Sequence, residues 1–153
     1  MRIYLPLTTG DRRALESAGS DLELAPGRAA WAVTTPARAD RPDEDEEDLE
    51  YEALQDAVHV AFSASAASDR ALVIAADVPD RITRPADEEG GAFGIVLSGS
   101  TRARIASLHV TELDAASAEA DDTDPALLWF DASEGSEALA FLDGAADDGT
   151  LES

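Results

Sequence analysis

Two histidines and no cysteine limit the chemistry that the side chains of this 153-residue chain could carry out. His109 lies in an apolar run, 105–111, that reads as a strand, where alternate residues share a face. That reading puts it on one face with Ile105, Ser107 and Thr111. A neutral imidazole there could act as a base or bind a ligand, since its ordinary pKa lies near neutrality. The plainer alternative is a partly buried histidine whose hydrogen bonds are met within the fold. His59 falls in a helical stretch with Glu52, Asp56 and Ser63 on its face, and Asp56, one helical turn earlier, can reach it. The pair could be half of a metal or acid/base site. A solvated polar helix face is the commoner use of such a cluster.

Asp77 closes the most apolar segment of the chain, Leu72-Val73-Ile74-Ala75-Ala76. Ligands in open α/β sheets gather at the carboxyl ends of strands, which makes Asp77 a candidate ligand-binding carboxylate. The alternative is a turn-forming aspartate whose side chain accepts from backbone N–H groups ahead of Pro79. Arg81 and Arg84 follow, able to neutralise an anion there or to pair with neighbouring acids. Tyr4, in the first apolar segment, needs a partner for its hydroxyl if it is buried. Trp31 and Trp129 read as core. Tyr4, Asp77, His109 and Trp129 are the residues the sequence offers for a candidate pocket, should the strands that carry them converge.

Other chemistries lack their patterns. Without cysteine there are no disulfides, thiolate metal sites or cysteine nucleophiles. Gly90, Gly91 and Gly94 have neither the spacing nor the following helix of a dinucleotide fingerprint, and there is no Gly-x-Ser-x-Gly elbow. Two distant histidines cannot make a typical histidine-based zinc site without carboxylates. Asp121-Asp122-Thr123-Asp124 lacks the glycine and the spaced ligands of a calcium loop. No catalytic residue, metal ligand set or cofactor is assigned.

The elements that would position these residues follow from hydrophobic period and turn chemistry. A strand at 3–7 leads into a helix that Thr8, Thr9 or Asp11 can cap and Gly19 can end. Pro26-Gly27 marks a turn, 29–34 a second strand, and the Pro-, Arg- and Asp-rich stretch 35–43 a loop. A long helix is expected over 44–65, with acids in its first turns where the helix dipole favours them. Asp43 and Glu46 have capping-box spacing, and Tyr51, Leu54, Val58, Ala61, Phe62 and Ser65 form the expected buried stripe. The run 72–76 suits a central strand covered on both faces. A polar, turn-rich stretch, 79–91, precedes strands at 93–97 and 105–111, expected to pair antiparallel. A short helix at 114–120, a strand at 127–130 and a last helix, capped by Asp131 or Ser133 and ended by Gly144, complete the order βαβαβββαβα. That order predicts an α/β fold on the border with α+β. It would be a single domain over 1–144, with a mixed sheet of about five to six strands and helices packed on it. An acidic tail, 145–153, is expected to fray.

The charge balance is extreme: 33 acidic residues against 11 basic ones, all arginine, for a net charge of −22. Such a surface repels phosphate backbones and anionic lipids, so nucleic acid and membranes are unfavourable partners. The early apolar stretch is too short for a signal peptide and is interrupted by Pro6. No run approaches the ~18 apolar residues of a membrane span, and a cytoplasmic location is expected. The absence of lysine, with 31 alanines and many aspartates, fits a GC-rich coding sequence or a salt-rich cytoplasm.

Several blocks together resemble an uncharacterised family of small actinobacterial proteins. They are Met1-Arg2-Ile3-Tyr4-Leu5-Pro6-Leu7-Thr8, Asp48-Leu49-Glu50-Tyr51-Glu52-Ala53-Leu54, Ala75-Ala76-Asp77-Val78-Pro79-Asp80, Arg104-Ile105-Ala106-Ser107-Leu108-His109-Val110 and Leu127-Leu128-Trp129-Phe130. The resemblance implies a cytoplasmic bacterial protein of unknown function and transfers no residue role. The functional expectation is a non-enzymatic binding or protein-interaction module with another protein as partner. The alternative is a small enzyme or small-ligand-binding domain with a pocket near Asp77 and His109. The oligomeric state is left open.

Overall fold

A computed structural model describes residues 1–17, 20–64, 69–86, 93–120 and 126–144. The expected tail 145–153, the aspartate cluster 121–124, Gly90, Gly91, and the helix ends at Gly19 and Ser65 lie outside these residues. The strands are β1 (Arg2–Pro6), β2 (Asp21–Leu24), β3 (Ala29–Trp31), β4 (Leu72–Asp77), β5 (Thr83–Pro85), β6 (Gly94–Leu97), β7 (Thr101–Thr111) and β8 (Leu127–Asp131). The helices are α1 (Thr9–Glu16), α2 (Thr35–Asp40), α3 (Glu46–Ser63), α4 (Ala115–Glu119) and α5 (Gly135–Leu142). None is long and apolar enough to cross a membrane.

Side chains set the helix starts. Thr8 Oγ1 accepts from the Asp11 N–H at 3.2 Å while the Asp11 carboxylate accepts from the Thr8 N–H at 3.1 Å, a reciprocal cap for α1. The cap of α3 is Asp45, which accepts from the Asp48 N–H, in place of the expected Asp43. Asp131 caps a short 3-10 turn that leads into α5, and Gly144, at φ 77°, ends that helix in the left-handed conformation a glycine tolerates.

The sheet differs from the expected mixed sheet of five to six strands. It has eight, in the order β2-β7-β4-β1-β3-β6-β5, with β8 also on β7, and every pairing among the described residues is antiparallel. The additional strands β2 and β5 and the helix α2 are short. The anticipated hairpin of the strands near 93 and 105 does not form, because β3 and β5 occupy both sides of β6. β7 pairs instead with β4 on one side and with β2 and β8 on the other.

This order forces curvature. β6 and β7 are joined by residues 98–100 yet lie four places apart. A flat sheet would separate them by about 19 Å, whereas the connecting backbone reaches only about 14 Å. The sheet therefore rolls. Its concave face gathers Leu22, Leu24, Ala30, Ile95 and Leu97 from strands near both ends into one core with Ile3, Leu5, Leu72 and Ile74, closed by Leu15 of α1 and by Ala138 and Leu139 of α5. A Cβ on Gly135 would lie 2.7 Å from the Leu15 carbonyl oxygen, so α1 and α5 approach at a distance only glycine permits.

The other face is covered by α3, whose Leu49, Ala53, Ala57 and Val58 pack on Tyr4, Val73 and Ala75. Both faces of β4 are thus buried, as its continuous apolar run requires. The α3 stripe is rotated from the expected one: Tyr51 is exposed and Ala53 and Ala57 are buried. Small side chains let the helix sit close to the sheet.

Candidate functional site

His109 is the most chemically distinctive group of the site. It is 2% exposed, and its Nε2 lies 2.9 Å from Ser107 Oγ. Its Nδ1 has no hydrogen-bond partner among the described residues. Burial, and then the charge of Arg2, push its pKa down to about 4, so the imidazole is neutral near pH 7. The sequence reading placed Ile105 on the same face. The structure places it on the concave face, because the β4–β7 register shifts at Ala75/Ala76 and makes Ala106 an extra residue. Such a bulge reverses the alternation beyond it.

Trp129 stands opposite His109 in the β7–β8 pairing, its ring 4.5 Å away at 82°. It is not core: it is 71% exposed. The expectation failed because β8 lies at an edge where α3 does not reach, so the indole caps the imidazole and is itself left uncovered. Trp31 is half-buried.

Tyr4 is buried on the same face of the sheet, but it pairs with Ala75 and Trp31 rather than with His109. Burial, reinforced by Glu50, pushes its phenol up to about 12. Asp77 pairs with Arg2 and Arg104, four positions along β4 from the Val73 that faces His109. That offset is about 13 Å of strand. The exposed Asp77 carboxylate accepts from the Arg2 guanidinium at 2.7 and 3.3 Å. The structure thus brings His109, Ser107 and Trp129 together and leaves Tyr4 and Asp77 elsewhere on the sheet. His59 is exposed, and Asp56 beside it has a pKa raised by burial. No cluster of metal-ligating side chains occurs among the described residues.

A cleft of about 910 Å³ lies where β1, β4 and β7 meet the ends of α3 and α5, and Arg12, Arg28 and Arg70 line it. All three are engaged within the fold. Arg12 bonds Asp143, Arg28 bonds both oxygens of the buried Asp11, and Arg70 donates to the Phe141 carbonyl at 2.7 Å while lying over its ring. The cleft escaped sequence reading because these pairs join residues far apart in the chain.

The other feature missed is the free edge of β8. Thr111 N–H bonds Ala71 on the β4 side, and Glu112 N–H bonds Ala126 on the β8 side. By the antiparallel alternation, Leu128 and Phe130 bond β7, while Leu127, Trp129 and Asp131 turn their backbone groups outward. Glu134 takes the Asp131 N–H at 2.8 Å. Among the described residues, no backbone partner bonds the outward groups of Leu127 or Trp129. The other edge strands are defended: β2 carries Asp21 and Glu23, and β5 carries Arg84 and Pro85. From Leu127 to Phe130, β8 carries neither charge nor proline.

Fold and site together define a single-sheet α/β protein with a largely exposed tryptophan on its β8 edge strand. The chain belongs to a family of unknown function, DUF6912, whose model matches residues 1–152. No curated protein and no solved structure matches it.

Proposed function

We propose that this protein is a non-catalytic interaction module whose contact element is the outer edge of β8, onto which an extended segment of a second protein adds as a further strand. The observation that carries the reading is that the outward backbone of Leu127 and Trp129 has no backbone partner among the described residues, beside a tryptophan 71% exposed. Aromatic residues combine large contact area with few rotors to freeze, which is why they anchor interfaces. Strand addition supplies affinity through main-chain hydrogen bonds and specificity through alternate side chains. The Ser107–His109 pair supports this role by giving Trp129 a rigid, neutral floor. As a nucleophile–base pair it lacks access, since both residues are buried.

The test is site-specific photo-crosslinking in lysate of the source cells. A photoreactive phenylalanine at position 129 should capture a discrete polypeptide, and the same group at Glu23 on the β2 edge should not. Leu127→Pro removes an outward N–H that no described strand uses, and adding it should abolish the product. Identical products from 129 and 23, or none from 129, would defeat the reading.

A further inference from the structure

The geometry points to a cationic partner: an extended polypeptide stretch with arginine or lysine at alternate positions, one of its cations seated on the outer face of Trp129. This rests on the reading of β8 as an interaction edge and narrows what that edge accepts.

The first argument is charge. Thirteen of the 33 acidic residues, and none of the 11 arginines, lie beyond Arg104, in the part of the chain that supplies β8. Asp121, Asp122 and Asp124 precede the strand in sequence, Asp131 ends it, and Glu134 and Glu137 follow it. A second copy of this chain would bring the same acidic flanks against these, at a net charge of −22 each, so pairing of two β8 edges is opposed by repulsion.

The second argument is the face that carries Trp129. The indole meets His109 in a perpendicular ring contact, and 71% of the residue is in solvent. An exposed indole face attracts a guanidinium or ammonium. The fold already uses this contact internally, with Arg41 4.9 Å from the Phe93 ring centre and Arg70 4.2 Å from that of Phe141. Asp131, whose carboxylate also caps the 3-10 turn, lies on the same face two residues along, about 7 Å away. A strand laid on the edge places its own alternate side chains at that spacing. Cations two residues apart therefore meet the indole and the carboxylate in register, and a strand with alternating acids meets repulsion at both.

The experiment titrates the full chain with three peptides of equal length in which threonine alternates with arginine, glutamine or glutamate, followed by calorimetry and by the Trp129 indole N–H signal. The arginine peptide should bind at least about tenfold more tightly than the glutamine peptide, and the glutamate peptide should not bind. The arginine advantage should shrink several-fold between about 50 and about 300 mM salt as screening grows. It should be lost in Trp129→Ala and in Leu127→Pro, each checked for an unchanged circular dichroism spectrum. Equal binding of the arginine and glutamine peptides would overturn the cationic class and leave strand addition standing. No binding of the arginine peptide overturns the proposal, and a cross-linked product at 129 would then show that the strand-edge reading survives it. Concentration-dependent dimerisation abolished by Leu127→Pro would make a second copy the occupant and overturn it as well.

Discussion

Burial of His109 predicts a measurable pH dependence of stability. In the unfolded chain its imidazole titrates near 6.5, and in the fold near 4. Between those values the unfolded state binds a proton that the native state refuses, so this group costs stability as pH falls through 6.5, and the loss is complete below about 4. At pH 4.5 the two pKa values correspond to a loss of about 2–3 kcal/mol relative to pH 7.5. The carboxylates confound a simple melt, because protonating them relieves the self-repulsion of a chain with net charge −22. A difference measurement cancels them. Urea unfolding of the wild type and of His109→Leu, each at pH 7.5 and pH 4.5, should show the variant gaining about 2–3 kcal/mol on the wild type as pH falls, whichever is more stable at pH 7.5. A gap that stays constant within about 0.5 kcal/mol would mean that the imidazole titrates alike in both states. The account of Trp129 resting on a neutral, buried ring would then fail.

Gly135→Ala forces a Cβ against the Leu15 carbonyl at 2.7 Å; it should lower stability by about 1–3 kcal/mol, read as a lower urea midpoint at unchanged m-value. Asp11→Ala removes the carboxylate half of the α1 cap and leaves the largely buried Arg28 guanidinium without its carboxylate, a loss of about 3–5 kcal/mol by chemical denaturation. Thr8→Ala, which removes only the hydroxyl half of the cap, should cost about 1 kcal/mol. Trp129→Ala should cost less than about 1.5 kcal/mol, well short of the 3–5 typical of a buried tryptophan, because 71% of the residue is already in water; a larger loss would show that the indole belongs to the core.

What the sequence made legible was local. Ile3-Tyr4-Leu5, the run 72–76 and the long acid-led helix were recognisable because period, caps and composition agree over short stretches, and Gly144 was placed as a helix terminator because its neighbours left few other roles. The strand order was not legible. Nothing local in Leu97 or Thr101 says that two segments so close in the chain must pair elsewhere, since that depends on β3 and β5 claiming both sides of β6. The β2 and β5 strands were overlooked because three or four residues give alternation too little room to register. Of the candidate site, His109 and Ser107 were recognisable as a strand pair. Trp129 was misplaced because a tryptophan in an apolar run reads as interior until the sheet shows which strand ends it. Asp77 and His109 were linked only by both being polar groups on apolar strands, and their separation along β4 was invisible until the register was known.

The roll has a consequence for how the chain comes into being. β1, made before both of its partners, sits in the middle of the sheet between β3 and β4, and β4 in turn leans on β7. Ile3 and Leu5 cannot be fully enclosed until Ala138 and Leu139 of α5 have also been made. At about 5–20 residues per second, synthesis of the roughly 135 residues between takes about 7–27 seconds. Over that time the self-repulsion of the carboxylates already made opposes association of the exposed apolar segment with other acidic chains.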